Sequence, residues 1–152
     1  MFGFFKKKKE KEPEIKVNSS AMGELTWWEG TWYGKCTVFI FGKPTEIDLY
    51  VRTYDCEIDE PISVQEERFH YYREHEDEFN DKIEKALLDE YELDDASLVR
   101  SRFKPTLLIL HRNGDGGLAF RDFEESEGSS EGEVVVAIFP EAKYAGSIEG
   151  YD

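Results

Sequence analysis

Histidines are the side chains of this sequence best suited to acid–base or metal chemistry, and there are three of them, His70, His75 and His111. His70 and His75 lie five residues apart in a segment of helical periodicity, which places them on different faces of a helix. Glu67 and His70 form one Glu-x-x-His pair, half of what a di-iron bundle requires. Zinc sites need three or four convergent ligands. We therefore expect no metal site and no cofactor, and we interpret His111 as a turn residue rather than a general base.

Nucleophile and phosphate-binding motifs are missing from the sequence. Ser126, Ser129 and Ser130 lie in an acidic segment without a nucleophile-elbow pattern. The segment 114–117, Gly-Asp-Gly-Gly, joins two predicted strands, whereas a phosphate-binding loop must open a helix. The sequence therefore predicts a protein that is not an enzyme. A hydrolase whose site combines the three histidines with nearby carboxylates is the third of three functional hypotheses.

The aromatic run 27–33, Trp-Trp-Glu-Gly-Thr-Trp-Tyr, could stack on a sugar or grip a partner. Aromatic residues on strands belong more often to a core, where burying one contributes about 1.5–3 kcal/mol. We assign Trp32 to the core. For Trp27 and Trp28 the sequence leaves both roles open, a partner contact or a core residue, because adjacent residues of a strand face opposite ways.

An acidic stretch is the best candidate for binding. Residues 57–95 hold 16 acidic and four basic residues, a balance of −12. Glu74, Glu78, Asp81 and Glu84 recur every three or four positions, opposite the apolar stripe of a predicted helix, and so form one surface. A protein partner with a basic surface would fit it. The alternative interpretation is an ordinary solvated helix exterior.

Charge is distributed unevenly along the chain. Residues 1–16 hold six Lys and three Glu, a charge of +3. Because the net charge of the whole chain is −15, the remaining residues carry −18. An acidic body repels nucleic-acid phosphates and attracts basic partners. Residues 1–20 are predicted to be a flexible tail, and the second functional hypothesis is a membrane-peripheral scaffold held by this tail. Its membrane-contacting residues would be Phe2, Phe4, Phe5, Lys6, Lys7, Lys8 and Lys9.

The two cysteines, Cys36 and Cys56, have no metal-ligand spacing, and no secretion signal precedes them. Free thiols in a reducing compartment are therefore expected, with a Cys36–Cys56 disulfide as the alternative. No apolar run approaches the roughly 20 residues that cross a bilayer. We expect a cytoplasmic protein.

The first predicted elements are two strands in residues 24–53. One strand face carries Trp32, Cys36, Val38 and Ile40, and the next strand alternates Ile47, Leu49 and Val51 with polar residues. Turn chemistry in Phe41–Thr45 makes the pair a hairpin. With the turn near Gly42–Thr45, Cys36 would lie opposite a residue near Val51.

Helices are predicted next. Ser63 and Glu66 match the capping box, in which each side chain satisfies a backbone donor at the helix start. Apolar residues then recur at helical spacing but lapse at Glu76, which predicts a break near Glu74–Asp77. This stripe consists of Phe69, Tyr72, Phe79, Ile83, Leu87 and Tyr91.

Strands return after Pro105. Residues 107–110 and 117–123 flank Asn113-Gly114 and predict a second hairpin, and residues 134–139 are apolar on both faces, as in a strand within the sheet. Separate blocks of strands and helices indicate an α+β fold. We predict a mostly antiparallel sheet of about five strands, with one or two central helices on one face, in a single domain spanning 21–152.

Several short motifs resemble an uncharacterised group of bacterial proteins catalogued only as domains of unknown function. They are Trp32-x-Gly34, Ile62-Ser63-x-Gln65, Lys85-Ala86-Leu87…Tyr91, Pro105-Thr-Leu-Leu-Ile109 and Val134-Val-Val-Ala-Ile-Phe-Pro140…Asp152. Some members of such groups are thought to be immunity proteins that neutralise toxins. The resemblance implies an inhibitor with no catalytic residues to carry over. The leading hypothesis is therefore a non-catalytic binding protein that uses Glu74, Glu78, Asp81 and Glu84 against a basic partner.

Overall fold

The computed structural model describes residues 14–53, 62–124 and 132–151. Eight strands of this part of the chain lie side by side in one sheet, in the order in which they occur along the chain. They are β1 (Lys16–Ser19), β2 (Gly23–Trp28), β3 (Thr31–Val38), β4 (Thr45–Arg52), β5 (Phe103–His111), β6 (Gly116–Asp122), β7 (Glu133–Phe139) and β8 (Lys143–Ser147).

One junction of the sheet differs from the others. Strands β4 and β5 are parallel, with Leu49 beside Leu108 and Val51 beside Leu110, whereas every other neighbouring pair is antiparallel. Three helices lie between these two strands along the chain, α1 (Ser63–Glu74), α2 (Glu76–Glu90) and α3 (Ala96–Arg102). A parallel pair needs such a crossover, because the chain must return to the starting edge before the second strand begins.

The helices cover one face of the sheet. Phe69 and Tyr72 of α1, Ile83 and Leu87 of α2, and Val99 of α3 are buried in one cluster with inward residues of β2–β7. The opposite face holds a smaller apolar cluster on β5–β7, formed by Leu107, Ile109, Ala119 and Val135. A short 3-10 helix, Ile148–Gly150, follows β8, and Ile148 and Tyr151 pack against this second cluster.

The predicted class, α+β, is confirmed, but the predicted sheet is wrong. The sheet has eight strands rather than about five, and it is mixed, because its central β4–β5 pair is parallel while the other six pairs are antiparallel. Three helices rather than one or two accompany it within the described residues. The missed elements are short and poor in apolar alternation. Strand β8 alternates exposed and half-buried residues, and β1 is largely exposed, because both lie at sheet edges.

Part of the predicted tail also belongs to the sheet. Lys16–Ser19 is β1, which pairs with β2 through Val17 and Leu25. Paired backbone in a sheet is not a flexible segment, so the boundary predicted at residue 20 is too late. Residues 1–13 lie outside the described residues, and the prediction for them stays a prediction.

Both predicted hairpins are present, but the register of the first is corrected. Cys36 lies opposite Ile47, and it is Trp32 that lies opposite Val51. Phe41 and Gly42 have left-handed backbone, with φ of 59° and 77°, and therefore make the turn there, earlier than expected. The predicted break between helices is confirmed at His75, which separates α1 from α2.

The predicted capping box does not form. Ile62 occupies the N-cap of α1, and no side chain caps this end. The Glu66 carboxylate instead accepts a hydrogen bond from the Ser19 hydroxyl at 2.6 Å, and the Ser19 hydroxyl oxygen accepts one from the Met22 amide at 3.1 Å. The sequence pattern predicts a partner for Glu66 at the start of its own helix, whereas its partner in the structure is Ser19, which lies 47 residues away at the end of β1.

Candidate functional site

The four predicted acidic residues lie on α1 and α2, but in different environments. Glu74, Glu78 and Asp81 are exposed to solvent. The Glu84 side chain is only 16% exposed, because it forms an ion pair of 3.3 Å with Arg100 of α3. Glu84 therefore helps to join two helices, while the other three carboxylates remain available at the surface.

Two of the exposed carboxylates have partners on their own helices. The Glu74 carboxylate lies 3.0 Å from Nε2 of His70, and Glu78 lies 3.3 Å from Nζ of Lys82. Exposed pairs of this kind contribute about 0–1 kcal/mol, so a binding partner can replace them at little cost. The surface remains acidic, because Asp77 and Asp81 are exposed beside them.

The break between α1 and α2 brings aromatic residues next to these carboxylates. We call the residues Phe39, Tyr71, Glu74, His75 and Glu78 the junction surface. His75 and Glu78 separate two shallow cavities of about 410 and 290 Å³, the first lined also by Phe39 and Glu74 and the second also by Tyr71. Phe39 and Tyr71 are 55% and 47% exposed, unusual values for large rings so close together on a soluble surface.

Phe39 is held firmly although its ring is exposed. Its amide donates to the Glu76 carboxylate at 2.9 Å, and its carbonyl accepts from Nδ2 of Asn80 at 3.0 Å. Asn80 is itself fixed, because its Oδ1 accepts from the buried Tyr72 hydroxyl at 3.0 Å. Burial raises the pKa of Tyr72, which keeps this hydroxyl a donor. The start of α2 thus holds the backbone at Phe39 in place.

Tyr71 and His75 form the other side of the junction surface. Their rings stack with centroids 4.1 Å apart, and Nδ1 of His75 lies 2.9 Å from the Tyr71 carbonyl. Behind them, Phe79 and Phe139 pack edge to face with Tyr71 and close the surface toward the core. The junction surface is therefore a rigid aromatic patch bordered by carboxylates.

The three histidines do not share a site. His70 is on α1, His75 lies at the helix break, and His111 ends β5, where it is buried against Tyr151 with ring centroids 5.1 Å apart. Among residues 14–53, 62–124 and 132–151, no three His, Cys, Asp or Glu side chains converge as metal ligands would. Ser126, Ser129 and Ser130 lie outside the described residues.

The structure separates the three tryptophans. Trp27 is half-buried and packs at an angle of 60° on the buried Trp32, with centroids 5.1 Å apart. Trp32 is thus confirmed as a core residue, and Trp27 lies against the core with it. Trp28 points away and is 62% exposed.

Cys36 carries a free thiol that is poorly suited to nucleophilic chemistry. It packs against the helix-side core, and burial raises its pKa to about 12. A thiol that stays protonated at neutral pH is a weak nucleophile. Cys56 lies outside the described residues, as do Phe2, Phe4, Phe5 and Lys6–Lys9, so the predicted membrane contact stays a prediction. No helix in the described ranges combines the length and the apolar character that crossing a bilayer demands.

Sequence reasoning missed the aromatic half of the junction surface. Neither Phe39 nor Tyr71 entered the sequence interpretation. For Phe39 the available signal was strand alternation itself: with Val38 and Ile40 on the buried face, Phe39 between them points the other way and is exposed.

Comparison with known proteins gives this chain no relatives: no family model matches it, and neither the curated proteins nor the solved structures contain a match.

Proposed function

We propose that this protein is a non-catalytic, cytoplasmic binding protein whose junction surface docks a basic protein partner. The observation that carries the proposal is the exposed Phe39 ring beside the stacked Tyr71–His75 pair and the carboxylates of Glu74 and Glu78. Aromatic residues are enriched in protein interfaces, where a few buried side chains supply most of the binding energy.

The shape of this surface suits a protein better than a small molecule. Its two cavities are small, about 410 and 290 Å³, and both are lined by His75 and Glu78, so a partner would insert separate side chains on either side of these two residues. An aliphatic or aromatic side chain would pack on Phe39, and Lys or Arg residues would pair with Glu74, Glu78 and Asp81. Charge complementarity of this kind mainly accelerates association and sets specificity.

An immunity-type inhibitor is the specific form of this proposal. The sequence motifs resemble an uncharacterised bacterial group, and some members of such groups are thought to be immunity proteins. A net charge of −15 suits a protein that occludes a cationic toxin. Inhibition by occlusion requires no catalytic residue on the inhibitor.

A photo-crosslinking experiment tests the docking surface. A photoreactive phenylalanine analogue replaces Phe39 in the full-length protein, and the same analogue replaces Trp28 in a control, because Trp28 is equally exposed elsewhere on the sheet. We expect one basic protein to crosslink in cells from position 39 and not from position 28. Equal crosslinking from both positions, or crosslinking only from position 28, would contradict the proposal.

Binding kinetics with the crosslinked partner then separate the aromatic and acidic contributions. Phe39→Ala should weaken affinity about tenfold or more, a loss of roughly 1.4 kcal/mol, mainly through faster dissociation. The double variant Glu74→Lys/Glu78→Lys should slow association, with the largest effect at low salt. Glu46→Lys/Glu149→Lys makes the same charge change at exposed positions elsewhere and serves as the control. The acidic half of the proposal fails if both double variants slow association equally.

A further inference from the structure

A third cavity lies where β5 and β7 end, beside Tyr151. It measures about 900 Å³, within the range of small-molecule sites. Its apolar wall is formed by Ala137, Phe139, Pro140, Ala145 and Tyr151. This cavity shares Phe139 and Pro140 with the 290 Å³ cavity of the junction surface.

Tyr151 and His111 form the inner wall. Gly117 lets Tyr151 approach, because a Cβ at residue 117 would lie 2.9 Å from the Tyr151 hydroxyl oxygen and 2.7 Å from Val135. His111 is 6% exposed and lies against the Tyr151 ring. The packed imidazole and phenol rings give the inner wall a flat aromatic surface.

The turn that borders the cavity is rigid. The His111 amide donates to the Asp115 carbonyl at 2.8 Å, and the Asp115 amide donates to Oδ1 of Asn113 at 2.9 Å. Arg68 of α1 also stabilises the turn, since its Nε donates to the Gly114 carbonyl at 3.1 Å. These hydrogen bonds hold the backbone of the turn in place.

The charge of the cavity is opposite to that of the protein. Arg112 and Lys143 line it from two sides, whereas Asp115 is the one carboxylate among the described lining residues. In a chain of net charge −15, such a local excess of cations around an apolar cavity favours an anion.

The geometry points to a binding site for a small organic anion with an apolar ring or chain. The apolar part would lie between Tyr151 and the Ala137–Ala145 wall, and the anionic group would face Arg112 and Lys143. Lys143 and Ala145 line neither cavity of the junction surface, so either proposal can fail without the other.

Fluorescence titration of the full-length protein with 8-anilinonaphthalene-1-sulfonate tests the site, and the neutral N-phenyl-1-naphthylamine serves as the uncharged comparison. We expect saturable binding of one sulfonate probe per chain. Ala145→Trp should weaken it at least tenfold, because Ala145 is exposed on β8 and the indole can fill the cavity without entering the core. Lys143→Glu should weaken the sulfonate at least fivefold and the neutral probe less than twofold.

Lys43→Glu is the matched control, because Lys43 is an exposed lysine in the β3–β4 connection. It should leave both probes unaffected, and circular dichroism should show the same fold in all variants. The site is refuted if no saturable binding occurs, if Ala145→Trp leaves the affinity unchanged, or if Lys143→Glu and Lys43→Glu have equal effects. Equal weakening of both probes by Lys143→Glu would overturn the assignment of an anionic ligand.

Discussion

The Cys36 thiol shows how position changes the chemistry of one side chain. It packs against the helix-side core between Trp32 and Val38, and burial raises its pKa from 9.0 to about 12. Because the folded pKa lies above the unfolded one, the neutral thiol contributes stability that is fully present below about pH 9. That contribution is lost as the pH rises toward 12. Burial likewise raises the pKa of Tyr72 and Tyr91. The contribution of all three groups to the free energy of unfolding therefore falls at alkaline pH.

We expect the Cys36 thiol to react at least a hundredfold more slowly with a disulfide reagent in the folded than in the urea-unfolded protein at pH 8. The reason is that the thiolate is the reacting species and burial both suppresses and shields it. The measurement uses a Cys56→Ser variant, so that Cys36 is the one cysteine present. Cys36→Ser, which keeps Cys56, provides the comparison, and equal folded and unfolded rates for Cys36 would show that the thiol is not buried in solution.

At the scale of elements, the sequence predicted interior strands well and edge elements poorly. Strand β4 alternates buried Ile47, Leu49 and Val51 with outward residues, a pattern that burial on one face imposes. The edge strands β1 and β8 have no such pattern because little of either is buried. The short helix α3 buries only Val99 among its residues, which leaves no stripe to recognise. Its cap, Asp95 accepting from the Ser97 and Leu98 amides, is a local signal that could have located it.

The hydrogen bond between Ser19, at the end of β1, and Glu66 of α1 predicts a different effect on stability from the one that a capping box at Ser63 would predict. Ser19→Ala should lower the free energy of unfolding by about 1 kcal/mol or more, because the Glu66 carboxylate and the Met22 amide both lose a partner. Ser63→Ala should change it by less than about 0.5 kcal/mol, because Ser63 is exposed and caps nothing. Urea unfolding of the two variants measures both values. A larger loss of unfolding free energy for Ser63→Ala than for Ser19→Ala would support the capping box and contradict the uncapped helix start.

At the scale of the whole molecule, the central pairing of the sheet could not be derived from local patterns. Nothing in the sequences of β4 and β5 distinguishes a parallel neighbour from an antiparallel one, and the two strands are separated by about 50 residues of helix and connection. The same limit applies to the candidate site. Acidic residues on one helix face were visible as spacing, whereas Phe39 joined them only because the β3–β4 connection folds onto the start of α2.

The order of the strands has a consequence for how the protein can be divided. Strands β1–β4 and β5–β8 are two contiguous sets that meet only at the parallel junction within the sheet. The connection from α2 to α3 is exposed at Glu92, Asp94 and Asp95, so a cut after Leu93 leaves four strands in each piece. The chain can therefore be divided at one exposed connection into two pieces of four strands each.

Fragments 1–93 and 94–152 should each lack native near-ultraviolet circular dichroism alone, because each exposes half of a shared core. Mixed in equal amounts, they should recover the spectrum of the intact chain. A Val51→Asp substitution in the first fragment should prevent recovery, since Val51 is fully buried beside Leu110 at the junction, whereas exposed Glu46→Asp should not. A mixture whose spectrum equals the sum of its parts would mean that the junction cannot form between separate chains. Recovery would make the parallel junction a point at which two independently encoded halves assemble.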